Sequence, residues 1–240
     1  ATGIQVTFNE EGAYGMDIMP TGSIGQLKQE YTVIKDADGN DYALSHHAVK
    51  NGGTTQIEAK IDITNSAYAS TDVIFKNKQG EIIPSSIDGS KATLTLTGRY
   101  TFENEVIYAV VPDKENNSKQ LTAGAFTLWH LTERTVKVAL VSVNGASLGS
   151  IETNVSNIFE KAVANIQFGD NLNLSVDKSE LGANEQLDFG ESAWAAAYNE
   201  EQKMLVNRVK QLSGYKSDTY YILVFNDIEP SRSIGGFMPL

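Results

Sequence analysis

The stretch that decides the fold of the second half of the chain is Thr219-Tyr-Tyr-Ile-Leu-Val-Phe225. It is a continuous run of apolar, β-branched and aromatic residues, which is typical of a strand buried on both faces of an α/β sheet. A run of the same kind lies upstream, at Val136-Lys-Val-Ala-Leu-Val-Ser-Val143. The two runs predict that the chain from Thr135 to Leu240 builds a sheet covered by helices.

Two helical patterns and a short strand lie between these runs. The first helix is predicted from an apolar stripe at helical spacing, made of Val155, Ile158, Phe159, Ala162, Val163 and Ile166. Ser150 is its predicted N-cap, and Gly169 lies just past its end. Leu172, Leu174 and Val176 alternate and predict a strand. A second helix is predicted from about 192 to 212. The order is β-α-β-α-β in a mixed sheet, and right-handed crossovers put both helices on one face if the strands are added in one direction.

Residues 1–133 have a different pattern and predict an all-β sandwich. Ile57, Ala59, Ile61 and Ile63 alternate with polar residues, as in a half-buried strand. The segments 36–40 and 77–80 contain Asp-Gly or Gly turn signals between apolar runs, which predicts two hairpins. We therefore predict a β-sandwich-like domain at 1–133, followed by an α/β domain at 134–240.

Composition and charge narrow the possible partners. The 240 residues carry a formal net charge of -11, which argues against nucleic acid or an anionic membrane surface as the main partner. The chain has no cysteine, which excludes disulfides, thiolate nucleophiles and cysteine-based metal sites. No apolar run reaches the ~18 residues of a membrane span, so we expect no transmembrane segment.

The sequence contains few histidines that could act in catalysis or bind a metal. His46, His47 and His130 are the only histidines. Adjacent histidines on a strand point to opposite faces, so the pair His46-His47 does not resemble a metal site. We expect both to be ordinary loop or surface residues and His130, at a strand end, to be structural.

Two loops contain residues that could bind a ligand. The segment 144–150 lies between a strand and a helix but lacks the spacing of a phosphate-binding loop, so a plain connector is favoured. A group of carboxylates precedes the second helix and predicts either a solvated acidic loop or a cation-binding loop, comprising Asp170, Asp177, Glu180, Glu185, Asp188 and Glu191.

The segment Ser233-Ile-Gly-Gly-Phe-Met-Pro-Leu240 has paired glycines next to an aromatic residue. Paired glycines allow another backbone to approach closely, and an exposed strand can pair with an extended peptide. A linker or tail is the alternative interpretation of this segment.

Several segments together resemble the front half of a zincin-type metallopeptidase domain, of the kind found in large secreted or toxin-like proteins of Bacteroidetes. They are the run from Val136, Asn157-Ile-Phe-Glu-Lys-Ala-Val163, Thr219-Tyr-Tyr-Ile-Leu-Val-Phe-Asn226 and Gly235-Gly-Phe-Met-Pro239. The resemblance covers roughly the last 105 residues. It implies a secreted or cell-surface bacterial location and hydrolysis of a protein or peptide substrate by zinc-activated water.

The resemblance also implies site residues. The substrate-side edge strand would be Ser233 to Leu240, with Gly235, Gly236 and Phe237 as substrate-binding backbone contacts. The family's His-Glu-x-x-His helix, which supplies two zinc ligands and the general base, does not occur in the sequence. We therefore expect no catalytic residue, metal ligand or cofactor in this chain, and zinc only in the complete parent domain.

The missing motif leaves two expectations open. Either the chain is a portion of a longer peptidase, or a second chain carries the C-terminal half. The alternative function is a non-catalytic binding or structural module of a bacterial surface or secretion assembly, which the acidic composition and missing cysteines also suit.

Overall fold

The computed structural model describes residues 1, 3–8, 12–20, 22, 25–35, 39–116, 118–182, 185–187 and 198–226. Contacts divide the chain into two compact units. Unit 1 comprises Ala1–Arg134 and Phe159–Ala164, and unit 2 comprises Thr135–Ile158 and Asn165–Leu240. The β plus α/β class predicted from the sequence is confirmed.

Short strands with alternating burial build unit 1. In chain order they are β1 (Ile4–Thr7), β2 (Met16–Asp17), β3 (Val33–Lys35), β4 (Asp41–Ala43), β5 (Ser45–Lys50), β6 (Thr54–Ile63), β7 (Ile74–Asn77), β8 (Ser85–Asp88), β9 (Lys91–Thr97), β10 (Asn104–Pro112) and β11 (Gln120–Leu131). A four-residue helix, α1 (Gly25–Lys28), precedes β3, and a 3₁₀ turn spans Ser70–Asp72.

Within the described residues, these strands form two main sheets and a separate hairpin. One sheet has the order β1-β6-β9-β8 and is antiparallel throughout. The other has the order β2-β5-β11-β10-β7, in which β5 and β11 run parallel. The predicted hairpin around 36–40 is present as the β3-β4 pair, with Lys35 opposite Asp41.

The core of unit 1 lies between the two sheets. On β6 the residues Thr55, Ile57, Ala59 and Ile61 are buried and their neighbours on the strand face outward. The ring of Phe8 contacts both Phe75 and Phe126, with centroid distances of 6.1 and 4.7 Å. Burial of apolar side chains is the main stabilising term for such a sandwich, and it contributes roughly 25 cal/mol per Å² of apolar area buried.

Unit 2 is built on a parallel sheet. Its elements are β12 (Arg134–Val143), α2 (Ile151–Glu160), β13 (Ala164–Phe168), β14 (Leu172–Leu174), a 3₁₀ turn at Lys178–Glu180, α3 (Glu200–Val209) and β15 (Tyr220–Val224). β14 and β15 both run parallel to β12 and lie on opposite sides of it. β13 also neighbours β12, and the Gly169 N–H donates to the Val138 carbonyl (2.8 Å) where β13 leads into β14.

The strand order differs from the one-directional order that would place both helices on one face of the sheet. The chain leaves β12 for one side of the sheet through α2 and then crosses to the other side through α3. Strands are therefore not added in one direction, so the condition for placing both helices on one face is not met. The α3 face holds Leu205 and Val209, which cluster with Val141, Val143 and Leu174.

The first helix is shorter than its apolar pattern predicted. α2 ends at Glu160, and Ile166, the last residue of the predicted stripe, lies in strand β13. Val163 has a φ of 55°, a conformation that a β-branched residue rarely adopts and that ends the helix. The second helix was predicted at about 192–212; within the described residues it spans Glu200–Val209, with Asn199 as N-cap bonded to the Gln202 N–H (2.8 Å).

Candidate functional site

The histidines of β5 do not form a metal or catalytic site. His47 is only 2% exposed, so the expectation of a loop or surface position is wrong for this residue. Its ring packs edge-on against Phe126 and its Nε2 lies 3.2 Å from the Ser45 Oγ. Burial lowers the pKa of His47 to about 4, so it is neutral at pH 7. Ser45 and His47 are adjacent, but both are buried, so neither can contact a substrate.

His46 points to the other face of the same strand. It stacks on Tyr31 with a centroid distance of 4.6 Å and lies 5.8 Å from the Trp129 ring. The Tyr31 hydroxyl donates to Asp17 (2.5 Å), and burial, helped by Asp17, raises the pKa of Tyr31 to about 12. This aromatic cluster fixes the segment carrying Tyr31 against the outer face of the five-stranded sheet.

His130 belongs to a buried polar network, which agrees with its expected structural role. Its Nδ1 accepts the Arg99 backbone N–H (3.0 Å), and its Nε2 lies 3.2 Å from the Glu105 Oε1. The Asn77 amide donates to the other Glu105 oxygen (2.8 Å). Burial lowers the pKa of His130, which favours the neutral ring with its proton on Nε2. Both ring nitrogens are occupied, so neither can act as a general base.

The described residues do not fit a zinc ion. No group of three or more histidine, aspartate or glutamate side chains in the described ranges is arranged to hold a metal. His47 and His130 are engaged inside unit 1, and the sequence contains no His-Glu-x-x-His. The zinc that the zincin resemblance implies therefore has no ligand set among the described residues.

The acidic loop of unit 2 uses its carboxylates for local structure. The Asp177 Oδ1 accepts the Ser179 N–H (3.0 Å) and caps the 3₁₀ turn. Glu180 forms a two-pronged ion pair with Arg208 of α3 at 2.5 and 2.9 Å. Asp188 and Glu191 lie outside the described residues. For Asp177 and Glu180, the solvated-loop interpretation fits better than a cation site.

The connector 144–150 begins at the carboxyl edge of the parallel sheet. Asn144 has a φ of 51°, its N–H donates to the Leu174 carbonyl (2.9 Å), and its Oδ1 accepts the Val176 N–H (2.8 Å). The buried Ser142 hydroxyl donates to the Ala146 carbonyl (2.7 Å). These bonds satisfy the turn internally, as expected for a connector. The carboxyl edge of the sheet beside this turn is formed by the ends of β12 and β15.

The substrate-binding residues predicted from the sequence, Gly235, Gly236 and Phe237, lie outside the described residues. The described chain reaches Asn226, directly beyond β15, at the carboxyl edge of the sheet. In open α/β sheets, ligands bind outside the carboxyl ends of the strands, at the point where the strand order reverses. In unit 2 that point lies between β12 and β15.

A second group of polar and aromatic side chains lies at one end of unit 1, where the β5-β6, β9-β10 and β11-β12 connections meet. We name it the loop-end cluster, and it comprises Tyr14, Lys50, Asn51, Tyr100, Thr132 and Glu133. Lys50 Nζ donates to the Glu133 carboxylate (2.6 Å), and this bond raises the pKa of Lys50. The Asn51 amide donates to the Thr132 hydroxyl (3.0 Å).

Sequence reasoning missed the loop-end cluster. Its members come from four segments that are far apart in the chain and carry no shared motif. Only the sandwich topology, which ends β5 and β11 and begins β6 and β10 at the same end, brings them together. The one sequence signal was Tyr100, an aromatic residue between strands.

No family model matches the chain, and no curated protein matches it. Among the described residues, no helix is long and apolar enough to cross a membrane.

Proposed function

We propose that residues 134–240 form the substrate-binding, non-catalytic part of a zinc-dependent peptidase domain, whose metal ligands come from sequence outside this chain. The observation that supports it is the position of β15. This strand lies parallel to and beside β12 at the reversal of strand order, and it leads the chain out at the carboxyl edge of the sheet. The segment with Gly235, Gly236 and Phe237 follows from that edge in sequence.

In this proposal the glycine segment presents backbone to an extended peptide. In such a pairing every second substrate residue exchanges N–H and C=O hydrogen bonds with the segment that it joins, and the lack of a Cβ lets the two backbones approach. The chain supplies binding and orientation, and no proton transfer is assigned to any of its residues. The secreted or cell-surface bacterial location and the toxin-like context are parts of the same proposal.

The experiment compares hydrolysis of an unfolded protein, such as reduced casein, by the gene product that contains this chain and by the 240-residue chain alone. The larger product should cleave casein, lose activity with 1,10-phenanthroline and regain it with zinc. The 240-residue chain should not cleave. Hydrolysis by the 240-residue chain itself, or a larger product that never cleaves, would overturn the proposal.

A substitution in the larger product tests the assigned segment. Gly236→Ala should lower kcat/KM roughly five- to tenfold, as for loss of one backbone hydrogen bond, without changing zinc content. Gly169→Ala is the matched control, since an added Cβ there meets only the Val138 carbonyl at 3.9 Å and Gly169 does not have a positive φ. Equal kcat/KM for both variants would remove Gly236 from the site.

A second candidate function is a non-catalytic binding module carried by unit 1. The observation that favours it is the loop-end cluster, because Tyr100 is 76% exposed beside a lysine-glutamate pair. A large exposed aromatic ring among polar groups is more typical of a recognition surface than of a core or a solvated loop.

A further inference from the structure

We propose that the loop-end cluster binds a neutral pyranose sugar, with Tyr100 as the stacking platform and the Lys50–Glu133 pair as the hydroxyl-binding groups. This inference deepens the second candidate function. It is independent of the peptidase proposal, because every residue involved lies in unit 1 and none belongs to the parallel sheet.

The aromatic component is Tyr100. The residue lies in the β9-β10 connection, and its hydroxyl comes within 3.5 Å of the position that a Cβ on Gly52 would occupy. The ring therefore stands beside the β5-β6 turn with most of its surface in solvent. One face of a pyranose ring is lined by C–H groups, and a flat exposed aromatic side chain removes that face from water with little loss of side-chain entropy.

The second phenol borders the same turn. The Tyr14 hydroxyl is 3.6 Å from the position of a Cβ on Gly53, while its ring packs against the core of unit 1. The two hydroxyls therefore lie beside Gly52 and Gly53, consecutive residues of the turn that follows Lys50. A phenolic hydroxyl both donates and accepts hydrogen bonds.

The polar component selects a neutral ligand. Lys50 and Glu133 are 38% and 41% exposed as side chains and form a pair with no net charge. The pair presents ammonium donors next to carboxylate acceptors, which suits adjacent sugar hydroxyls that donate and accept in turn. An anionic ligand would meet Glu133 and the overall charge of -11, and a cationic ligand would meet Lys50.

An unsatisfied acceptor lies at the base of the cluster. The Asn51 Oδ1 is buried and has no hydrogen-bond partner among the described residues, although its amide nitrogen is bonded to Thr132. A buried carbonyl without a donor costs free energy, and each such group in a folded protein calls for an explanation. This oxygen is too buried for a sugar hydroxyl to reach directly, so we assign its donor to a water that bridges to the sugar.

The loops that carry the cluster are fixed before any ligand arrives. Gly52 N–H donates to the Gly98 carbonyl (3.1 Å) and Gly98 N–H donates to the Gly53 carbonyl (2.9 Å). A Cβ on Gly98 would collide with the Lys50 carbonyl, so this close crossing requires glycine. Such preorganisation lowers the entropy that binding must overcome.

The experiment is saturation-transfer NMR with the 240-residue chain and four methyl glycosides, those of glucose, galactose, mannose and N-acetylglucosamine. Each is used at about 10 mM, which populates a site with a millimolar Kd. At least one glycoside should receive saturation on its ring C–H protons, and an oligosaccharide of that sugar is then titrated to obtain Kd. Methyl glucuronide, the anionic counterpart, should bind at least tenfold more weakly than the best neutral glycoside.

Substitutions locate the site. Tyr100→Ala should weaken oligosaccharide binding at least tenfold, Tyr100→Phe less than threefold, and Glu133→Gln by an intermediate factor. Tyr220→Ala is the control, because Tyr220 is also largely exposed but lies in unit 2. Saturation of none of the four glycosides, binding that survives Tyr100→Ala, or a preference for the glucuronide would overturn the inference. None of these outcomes bears on casein hydrolysis by the larger product.

Discussion

His130 accepts the Arg99 backbone N–H on Nδ1 at 3.0 Å, and this bond joins a buried histidine to the connection that carries Tyr100. The same connection is held from the other side by the ion pair between Arg99 and Glu81 (2.5 Å). The Phe102 ring, two residues beyond Tyr100, lies 5.8 Å from the imidazole. The buried network around His130 therefore holds the β9-β10 connection, which carries Tyr100.

Removing the imidazole should destabilise unit 1. His130→Ala leaves the Arg99 N–H without its acceptor and takes a hydrogen-bond donor from Glu105, which is only 8% exposed. The expected loss is about 2–4 kcal/mol in the free energy of unfolding, measured by urea denaturation. The control is Lys60→Ala, whose ion pair with Asp62 is solvent-exposed and should change stability by no more than about 1 kcal/mol. Equal effects of the two substitutions would contradict the structural role of His130.

Asn77→Asp tests the charge balance of the same network with almost no change in shape. The Asn77 amide donates to Glu105 (2.8 Å) and Glu81 (3.0 Å), and the substitution replaces that donor with a carboxylate. Two neighbouring carboxylates in a buried site raise the pKa of the pair in the folded state. The variant should therefore be several kcal/mol less stable than the natural chain at pH 7, with a smaller difference near pH 4. A difference in stability that does not change between these pH values would rule out this account.

His47 should make the chain lose stability in mild acid. Its pKa is about 4 in the folded protein and near 6.5 when unfolded, so the unfolded chain binds the proton more tightly. The stability contributed by the neutral ring is fully present above pH 6.5 and is lost as the pH falls toward 4. The full loss corresponds to about 3 kcal/mol at 1.36 kcal/mol per pH unit.

The measurement for His47 is a difference between two proteins. Unfolding free energies of the natural chain and of His47→Gln are compared from pH 7.5 to pH 4.5, so that the effects of carboxylates cancel. The natural chain should lose more stability over this range than the variant does. Parallel pH profiles would show that His47 does not titrate as its burial requires.

Leu205→Ala tests the packing of α3 on the parallel sheet. Leu205 is 2% exposed and lies in the cluster that holds Val141, Leu174 and Val209. Truncation should cost about 2–5 kcal/mol, detected as earlier unfolding of unit 2 by hydrogen exchange at the amides of β12 and β15. Lys203→Ala in the same helix removes only an exposed pair with Glu200 and should change protection little. Similar protection in both variants would mean that α3 does not cover this face.

The sequence predicts the parts of the fold that depend on local pattern. Alternation on β6 and the continuous apolar run of β12 indicate burial directly, because one or both faces must be dry. The run at β15 does form a strand, but the predicted burial on both faces is wrong, since Tyr220 is exposed and the other four residues are only half-buried. The end of α2 could not be predicted in the same way. Ala164, Ile166 and Phe168 alternate as a strand, yet Ile166 also continues the helical stripe, and the positive φ of Val163 that decides between the two is a property of the folded chain.

Long-range arrangement accounts for the remaining differences. Nothing in the runs themselves states that β15 is placed beside β12 rather than beyond β14, so the reversal of strand order required the structure. The loop-end cluster is similar, because Lys50 and Glu133 are 83 positions apart in the chain. Residues that meet only through sheet topology leave no spacing to recognise.

The most direct test of the central claim, that this chain carries the binding part of a zinc peptidase domain and not its metal ligands, is zinc content. Metal analysis by mass spectrometry is performed on the 240-residue chain and on the larger gene product, each purified with zinc present and then dialysed. The account predicts no retained zinc on the 240-residue chain and about one zinc ion per molecule of the larger product. Stoichiometric zinc on the 240-residue chain, or none on the larger product, would contradict it.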